Sequence, residues 1–398
     1  MFITRLMLKH FRSISACDVS LDDLTFLVGQ NGAGKSNFID ALALVADSMN
    51  TTLEHALRDR GGIEEVRRKS SGHPTHIGMR LEFRLPDDTT GFYAFEIAAT
   101  KAADYAVKKE RCYLWFDESS EQASVYFQVE RGQVKNASLD TPPSALADRL
   151  YLANLSGFSE FRPLVEAFSK MGVYNFNPGQ MREWQPPTTG EQLLRDGANI
   201  ASVLARMERR APTAKKKVED YLRRIVPGIA EINAERVGNK ETMIFHQEVD
   251  GAQYPWKFYP TSMSEGTLRA LGVLVGLFQE EPAAPLIGIE EPESALHPAA
   301  AGILLDALRD GAENRQVIVT SHSADLLDNK DIAAEEIKAV VAEQGKTRIG
   351  PVDDASRETL RDHLFTAGEL LRMNQLELDD SAMNDSPSKL RLFSKKLS

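Results

Sequence analysis

Apolar groups interleave with polar and charged residues over residues 1–9, and 24–28 is apolar but for Thr25, so the chain opens on two predicted strands. A glycine-rich turn and a helix starting near Lys35 follow, which is the opening of an α/β unit. Over 77–85 the sequence IGMRLEFRL puts apolar residues at every odd position, the period-two mark of a half-buried strand. Further β-rich runs at 92–97, 112–116 and 125–129 are separated by turn-like residues and predict an antiparallel sheet inserted after the first βα unit. From about residue 146 the pattern turns helical, through 162–171, 191–207 and 214–225, with a proline-rich turn at 184–187. Strand patterns return at 243–249 and 254–258, and the chain is α/β again to about 341. The apolar stretch 268–278 is far short of the ~20 residues a bilayer needs and reads as a buried helix. No internal repeat and no long heptad array is present in the sequence.

Composition narrows the function classes. The chain has 398 residues with 58 acidic against 47 basic side chains, a net charge of −11. A body that is basic throughout is excluded, so any contact with nucleic acid has to come from a local patch. The densest patch holds Arg206, Arg209, Arg210, Lys215, Lys216, Lys217, Arg223 and Arg224, opposed by Glu208, Glu219 and Asp220. It reads either as a solvated helix face or as a set of nucleic-acid contacts, centred on Arg209, Arg210, Lys215, Lys216 and Lys217. A weaker cluster is Arg58, Arg60, Arg67, Arg68 and Lys69. Two cysteines, Cys17 and Cys112, give neither a disulfide framework nor a metal pair, and with no signal peptide in the N-terminal pattern a cytoplasmic setting with no membrane partner is expected. The stretch running from Asp379, Asp380 and Asp385 to Lys389, Arg391, Lys395 and Lys396 is expected to be a mobile tail.

Four motifs carry chemistry. Gly29-Gln30-Asn31-Gly32-Ala33-Gly34-Lys35-Ser36 is a P-loop between a predicted strand and a predicted helix. Its glycines let backbone N–H groups converge on phosphates, Lys35 reaches the outer phosphates and Ser36 ligates Mg²⁺. The apolar run 286–289 ends in Glu290 and Glu291; a strand that delivers a carboxylate to its C-terminal end places a magnesium ligand, Glu290, and the next acid, Glu291, orients the attacking water. Asp is commoner than Glu at the first of these positions, and the roles of the two acids stay interchangeable at this stage. Ser262-Met263-Ser264-Glu265-Gly266-Thr267 precedes an apolar helix and reads as a second anion-binding helix start or as an ordinary N-cap. The β-branched run 317–320 leads through Ser321 to His322.

Ser264 lies 26 residues before Glu290 (290 − 264) and His322 lies 32 after it (322 − 290). This succession of motifs resembles the ABC-class ATPases. The 229 residues between Lys35 and Ser264 (264 − 35), the pattern from Leu6 to Ser13, the P-loop continuing into Asn37, and GIEEPESALHP over 288–298 are similar to the RecF and SMC branch. Within it the chain looks like the stand-alone RecF-like ATPases related to the ATPase half of overcoming-lysogenization-defect nucleases. The likeness covers 1–60 and 240–330, and is carried in the middle chiefly by Arg60-Gly61-Gly62.

The resemblance implies an α/β fold, a P-loop NTPase of ABC type with a mixed sheet, flanking helices, an inserted antiparallel β subdomain and a helical lobe. The expected division is an ATPase core over 1–60 and 240–345, a β-rich insertion over 61–140, a helical insertion over 141–239, and a C-terminal helical segment with the tail over 346–398. It implies hydrolysis of ATP to ADP and phosphate, with ATP and Mg²⁺ as cofactors. Ser264 and Gly266, in the signature Ser264-Glu265-Gly266-Thr267, would contact the γ-phosphate held by Lys35 of a second protomer, giving a head-to-tail homodimer or higher oligomer. Many relatives carry Gly where Glu265 stands. His322 would sense the γ-phosphate, Gln180 is the candidate for a magnesium-coordinating glutamine, and 293–297 would link the two sites, although His297 before Pro298 is equally placed to cap a helix. The leading expectation is a nucleotide switch that engages DNA or a partner effector in anti-phage defence or DNA repair. An ATPase subunit whose nuclease is a separate chain, and a transporter subunit, are the alternatives.

Overall fold

A computed structural model describes the protein except for residues 71–73, 101–103, 117–123, 280–283, 382–385, 396 and 398. The strands are β1 (Phe2–Phe11), β2 (Ile14–Ser20), β3 (Leu24–Val28), β4 (His76–Arg84), β5 (Thr90–Ala99), β6 (Tyr105–Trp115), β7 (Val125–Glu130), β8 (Gln133–Ala137), β9 (Gly172–Tyr174), β10 (Ile229–Val237), β11 (Lys240–Gln247), β12 (Trp256–Phe258), β13 (Leu286–Glu290), β14 (Gln316–Ser321), β15 (Ile337–Glu343) and β16 (Lys346–Pro351). The helices are α1 (Lys35–Asn50), α2 (Leu53–Arg58), α3 (Ile63–Val66), α4 (Arg162–Ser169), α5 (Pro178–Arg182), α6 (Ile200–Arg210), α7 (Pro212–Ile225), α8 (Glu265–Phe278), α9 (Ala301–Ala312), α10 (Asp354–Arg361) and α11 (Ala367–Arg372).

The chain forms two compact units. The first comprises 1–171, 334–358 and 376–398, and the second 172–333 and 359–375. Strands of the first unit run in the order β8-β7-β6-β5-β4-β1-β2-β16-β15-β3. All neighbours are antiparallel except β2 with β16 and β15 with β3, which are parallel. The expected inserted antiparallel sheet continues from β1 through β4, and β2 and β8 are strands that the hydrophobic pattern did not predict. Helix α1 is buried almost all round, and its one buried acid, Asp40, is held by Arg12 and Arg60 at 2.8 and 2.9 Å.

β4 differs from the half-buried strand its alternation predicts, because both of its faces are covered. Fully buried Arg80 pairs with Glu82 at 2.7 Å and donates to the carbonyls of Leu392 and Ser394 at 3.0 and 2.6 Å. Leu390 and Leu392 are buried, and a side chain on Gly78 would run into Leu392. The described part of the expected mobile tail is thus packed on the sheet, its carbonyls satisfying the donors of Arg80 that Glu82 does not take. Asp385 and Lys396 of that stretch lie outside the described residues.

In the second unit β13 lies between β9 and β14, parallel to both, and β10-β11-β12 form a small antiparallel sheet. Helix α8 is hydrophobic nearly all round and correspondingly buried from Gly266 to Phe278 except at Arg269. The helix predicted over 191–207 is only α6; residues 191–199 are irregular. Gly197 at φ 78° and the Asn199 side chain, which takes the Leu194 N–H at 2.8 Å and donates to the Gln192 carbonyl at 2.9 Å, explain the break. Strands β9 and β10 fall within the expected helical insertion over 141–239, and β16 within the expected C-terminal helical segment.

Candidate functional site

In the first unit β3 leads into the P-loop, and the backbone geometry explains its glycines. A Cβ on Gly29 would lie 2.0 Å from the Val340 carbonyl oxygen of β15, and one on Gly34, at φ 104°, would lie 2.1 Å from Thr347 Oγ1. Gly32 adopts φ 77° and faces open space. Thr347 fastens the loop from beneath, donating to the Ala33 carbonyl at 2.7 Å and sharing a 2.7 Å hydrogen bond with Ser13, which in turn accepts from Asn37 Nδ2 at 2.6 Å. Helix α1 begins at Lys35 with no side-chain cap and no acid in its first turn, so its positive end faces the loop uncompensated. Lys35 is 5% exposed, and its ammonium donates to the carbonyls of Gly29 and Gln30 at 2.7 and 3.0 Å. Ser36 and Asn31 are exposed. Asp40, Ser13 and Thr347 are supporting residues that motif reading missed; nothing in the sequence marks a threonine 314 positions away. Arg60 is held by Asp40 and Asp47, Arg67 by Glu64, Lys69 by Glu65, and Arg68 by the Ser13 and Gly345 carbonyls, so the weaker basic cluster is largely engaged within the protein.

In the second unit Glu290 and Thr320 are partners in the β13–β14 register, which brings the two strand ends together. Glu291 turns out of β13 at φ 45°, a left-handed conformation uncommon for a side-chain-bearing residue, and its N–H donates to the Thr320 carbonyl at 3.0 Å. That turn points its carboxylate at His322, with Nδ1 3.2 Å from Oε1, and Ser294 donates to the other oxygen at 3.4 Å. Glu293 is buried and accepts from Ser321 at 2.6 Å, while its second oxygen has no partner; burial raises its pKa from the ordinary value. Glu290 is 8% exposed at its side chain and meets Arg195 at 3.1 Å. Arg195 escaped the sequence reading because it lay within a predicted helix.

Ser264 caps α8, accepting the Thr267 N–H at 3.1 Å, with the two hydroxyls 2.8 Å apart. Gly266 is required by packing: a Cβ there would lie 2.2 Å from the Ala295 carbonyl oxygen in the loop after β13. Glu265 sits 3.9 Å from Arg182, which also donates to the Met263 carbonyl at 3.1 Å. Gln180 is exposed on α5, where Asn177 caps the helix start, and its carbonyl accepts from Gln185. His297 caps the short turn at Pro298–Ala300 by accepting the Ala299 N–H at 3.2 Å.

The basic run is corrected in part. Lys215 is buried, bonded to Glu219 at 2.8 Å and Asn233 at 3.0 Å, so it is not a free contact. Lys217 pairs with Asp310 at 3.0 Å and lies over the Phe278 ring, while Arg223 and Arg224 pair with Asp220 and Asp306. Arg209, Arg210 and Lys216 remain exposed.

Each unit offers a hard oxygen donor of the kind magnesium takes alongside phosphate and water, the Ser36 hydroxyl in the first and the Glu290 carboxylate in the second. Among the described residues no group of three or more His, Cys, Asp or Glu forms a metal cage of its own.

A family model described as "AAA domain, putative AbiEii toxin, Type IV TA system" matches residues 24–328. The DNA double-strand break repair Rad50 ATPase of Thermoplasma volcanium is 35% identical over 89 residues, covering 21% of this chain and 10% of that protein. The DNA replication and repair protein RecF of Vibrio cholerae is 44% identical over 44 residues, covering 11% and 12%. The matched stretches thus span about a tenth of these relatives' own length. Among solved structures, an SMC head bound to the C-winged helix domain of ScpA superposes with TM-score 0.58 at 12% identity, covering 90% of this chain and all of that one. An SMC head domain with an extended coiled coil, bound to the C-terminal domain of ScpA derived from Pyrococcus furiosus, gives 0.55 at 12% identity, covering 91% and 99%. These likenesses establish the ABC-type P-loop fold.

Proposed function

Because the chain belongs to the family described as "AAA domain, putative AbiEii toxin, Type IV TA system", and folds as a RecF/SMC-like ABC-class ATPase, we propose that it hydrolyses ATP as a dimeric switch. The observation that carries this reading is the phosphate cradle, in which an uncapped helix start, glycines at positive φ and a buried lysine ammonium are assembled on one loop. Lys35 exchanges its carbonyl partners for phosphate oxygens, and the backbone N–H groups of 32–36 hold the remaining charge. Magnesium, held by Ser36 and Glu290, would supply positive charge to the phosphate oxygens. Glu291 orients the attacking water and accepts its proton, and His322, paired with Glu291, fixes that carboxylate and reads the γ-phosphate.

Ser264 and Gly266 act in trans, so nucleotide is bound by two protomers at once and favours the closed dimer over the open one. The closed form engages DNA or a partner effector; a nuclease on a separate chain is one such effector. Rad50 and RecF relatives support a role in DNA repair, and anti-phage defence is the other setting in which such a switch would serve. SMC heads bound to ScpA domains support a protein partner. The test is Glu291→Gln with saturating MgATP: turnover falls at least a hundredfold while ATP binding persists and light scattering reports a dimer. A monomer under those conditions sinks the switch, and unchanged nucleotide affinity in Lys35→Ala sinks the cradle.

A further inference from the structure

Glu290 ends β13 as a carboxylate shielded from water, and such a group needs a positive partner. The partner is Arg195, 95 positions earlier in the chain, at 3.1 Å. We propose that Arg195 and a divalent cation compete for the Glu290 carboxylate, so that arrival of the cation releases the Arg195 side chain and transmits metal occupancy to residues 193–197. The inference rests on Glu290 being the metal ligand proposed above.

Three observations support it. First, the guanidinium sits on the carboxylate that the metal is proposed to take, and a divalent ion bound to that carboxylate repels the fixed charge of Arg195. Second, Arg195 has somewhere to go. It lines an ≈850 Å³ cavity together with Asn175, Asn177, Asp196 and Arg269, in which the Asp196 carboxylate offers an acceptor. Third, the mounting allows the move. The Arg195 side chain is 46% exposed, and its backbone is pinned by a short ladder in which the Asn175 and Asn177 N–H groups donate to the Arg195 and Asp196 carbonyls at 2.9 and 3.0 Å. The side chain therefore swings by rotamer change while Leu193, which is buried, anchors the segment. Because the cavity also takes Arg269 from α8, the displaced guanidinium changes the charge facing the helix that Ser264 caps. Arg195 is thus a positioning residue that sets how tightly the metal binds and reports its presence.

The experiment is titration of the full chain with Mn²⁺, followed by electron paramagnetic resonance at saturating ADP. Arg195→Gln is expected to bind Mn²⁺ roughly fivefold more tightly than wild type, the size of effect for a partly exposed ion pair. Arg195→Lys, which keeps the charge, should stay close to wild type, and in a Glu290→Gln background the gain from Arg195→Gln should vanish. A stability deficit in Arg195→Gln would not mimic this result, since a loosened fold weakens metal binding rather than tightening it. Unchanged or weaker Mn²⁺ binding in Arg195→Gln, with nucleotide-dependent binding intact in wild type, overturns the competition alone. Wild-type Mn²⁺ binding that ignores ADP and survives Lys35→Ala overturns the ATPase reading along with it.

Discussion

Two ionisable residues of the first unit respond to pH with opposite sign. Glu110 is fully buried on β6, where it accepts the N–H groups of Tyr151 and Leu152 at 2.6 and 2.8 Å and the Tyr93 hydroxyl at 2.9 Å. Burial outweighs those donors and raises its pKa from 4.5 to about 7. The folded chain therefore holds a proton that the unfolded chain releases, and this stability, present below pH 4.5, is lost as pH rises through about 7. His10 is lowered from 6.5 to about 4, by burial first and then by His76, Lys9 and Arg68, so its contribution is present above 6.5 and lost as pH falls through about 4. Thermal midpoints between pH 4 and 8 should show Glu110→Gln flattening the loss toward alkaline pH, an effect on the order of 1–3 kcal/mol, although the amide nitrogen opposes one of the two backbone donors and lowers stability at pH 5. His10→Asn, which tolerates the left-handed backbone at φ 56°, should flatten the loss toward acid. A wild-type slope in either variant would remove that residue from the account. At this scale the sequence was legible where chemistry is contiguous. The P-loop, Glu290 and Glu291 declare themselves within a few positions, whereas Thr347, Ser13 and Arg195 act on them only through tertiary folding.

Among the elements, α8 shows how one glycine differs from another. Gly266 in its first turn abuts the Ala295 carbonyl oxygen, where a methyl group meets rigid backbone, whereas Gly302 early in α9 faces nothing within 4 Å. Gly266→Ala should therefore lower stability by about 1–3 kcal/mol and cut ATP turnover, since it pushes the Ser264 cap away from the loop carrying Glu293. Gly302→Ala should raise stability by roughly 0.5–1 kcal/mol through helix propensity alone, with turnover unchanged. Calorimetry and steady-state hydrolysis on the pair check both, and a neutral Gly266→Ala would refute the packing argument. The same scale shows where pattern reading ran out. Strand β8, with the sequence Gln133–Ala137, is short, polar and at a sheet edge, and so lacks the alternation a half-buried strand displays. The helix expected over 191–207 has apolar spacing to spare, but Gly190, Gly197 and Asn199 override it by supplying left-handed backbone and competing hydrogen bonds. β4 alternates as if one face were wet, because Arg80 and Glu82 are polar residues buried by satisfying each other and the chain near Leu392.

At the scale of the whole molecule, a net charge of −11 means that attraction to a polyanion must be local and strongly dependent on salt. With Lys215 and Lys217 engaged internally, the exposed Arg209, Arg210 and Lys216 are the testable remainder of the basic run. Reversing these three charges should weaken double-stranded DNA binding and abolish any salt-sensitive stimulation of ATP hydrolysis by DNA; Lys215→Glu should instead destabilise the second unit by burying a like-charge pair with Glu219. Wild-type DNA affinity in the triple variant would leave the run as a solvated helix face and direct attention to a protein partner. The division into two interleaved units has a further consequence, for biosynthesis. β3 pairs with β15, so a strand finished at residue 28 waits for one that begins at 337, a delay of 309 residues (337 − 28). At about 5–20 residues per second the ribosome takes roughly 15–60 s to cover that distance. Throughout that interval the nascent P-loop strand has an unpaired edge and an apolar body, which makes the newborn chain a natural client for chaperones and places its greatest risk of aggregation before the second unit is complete.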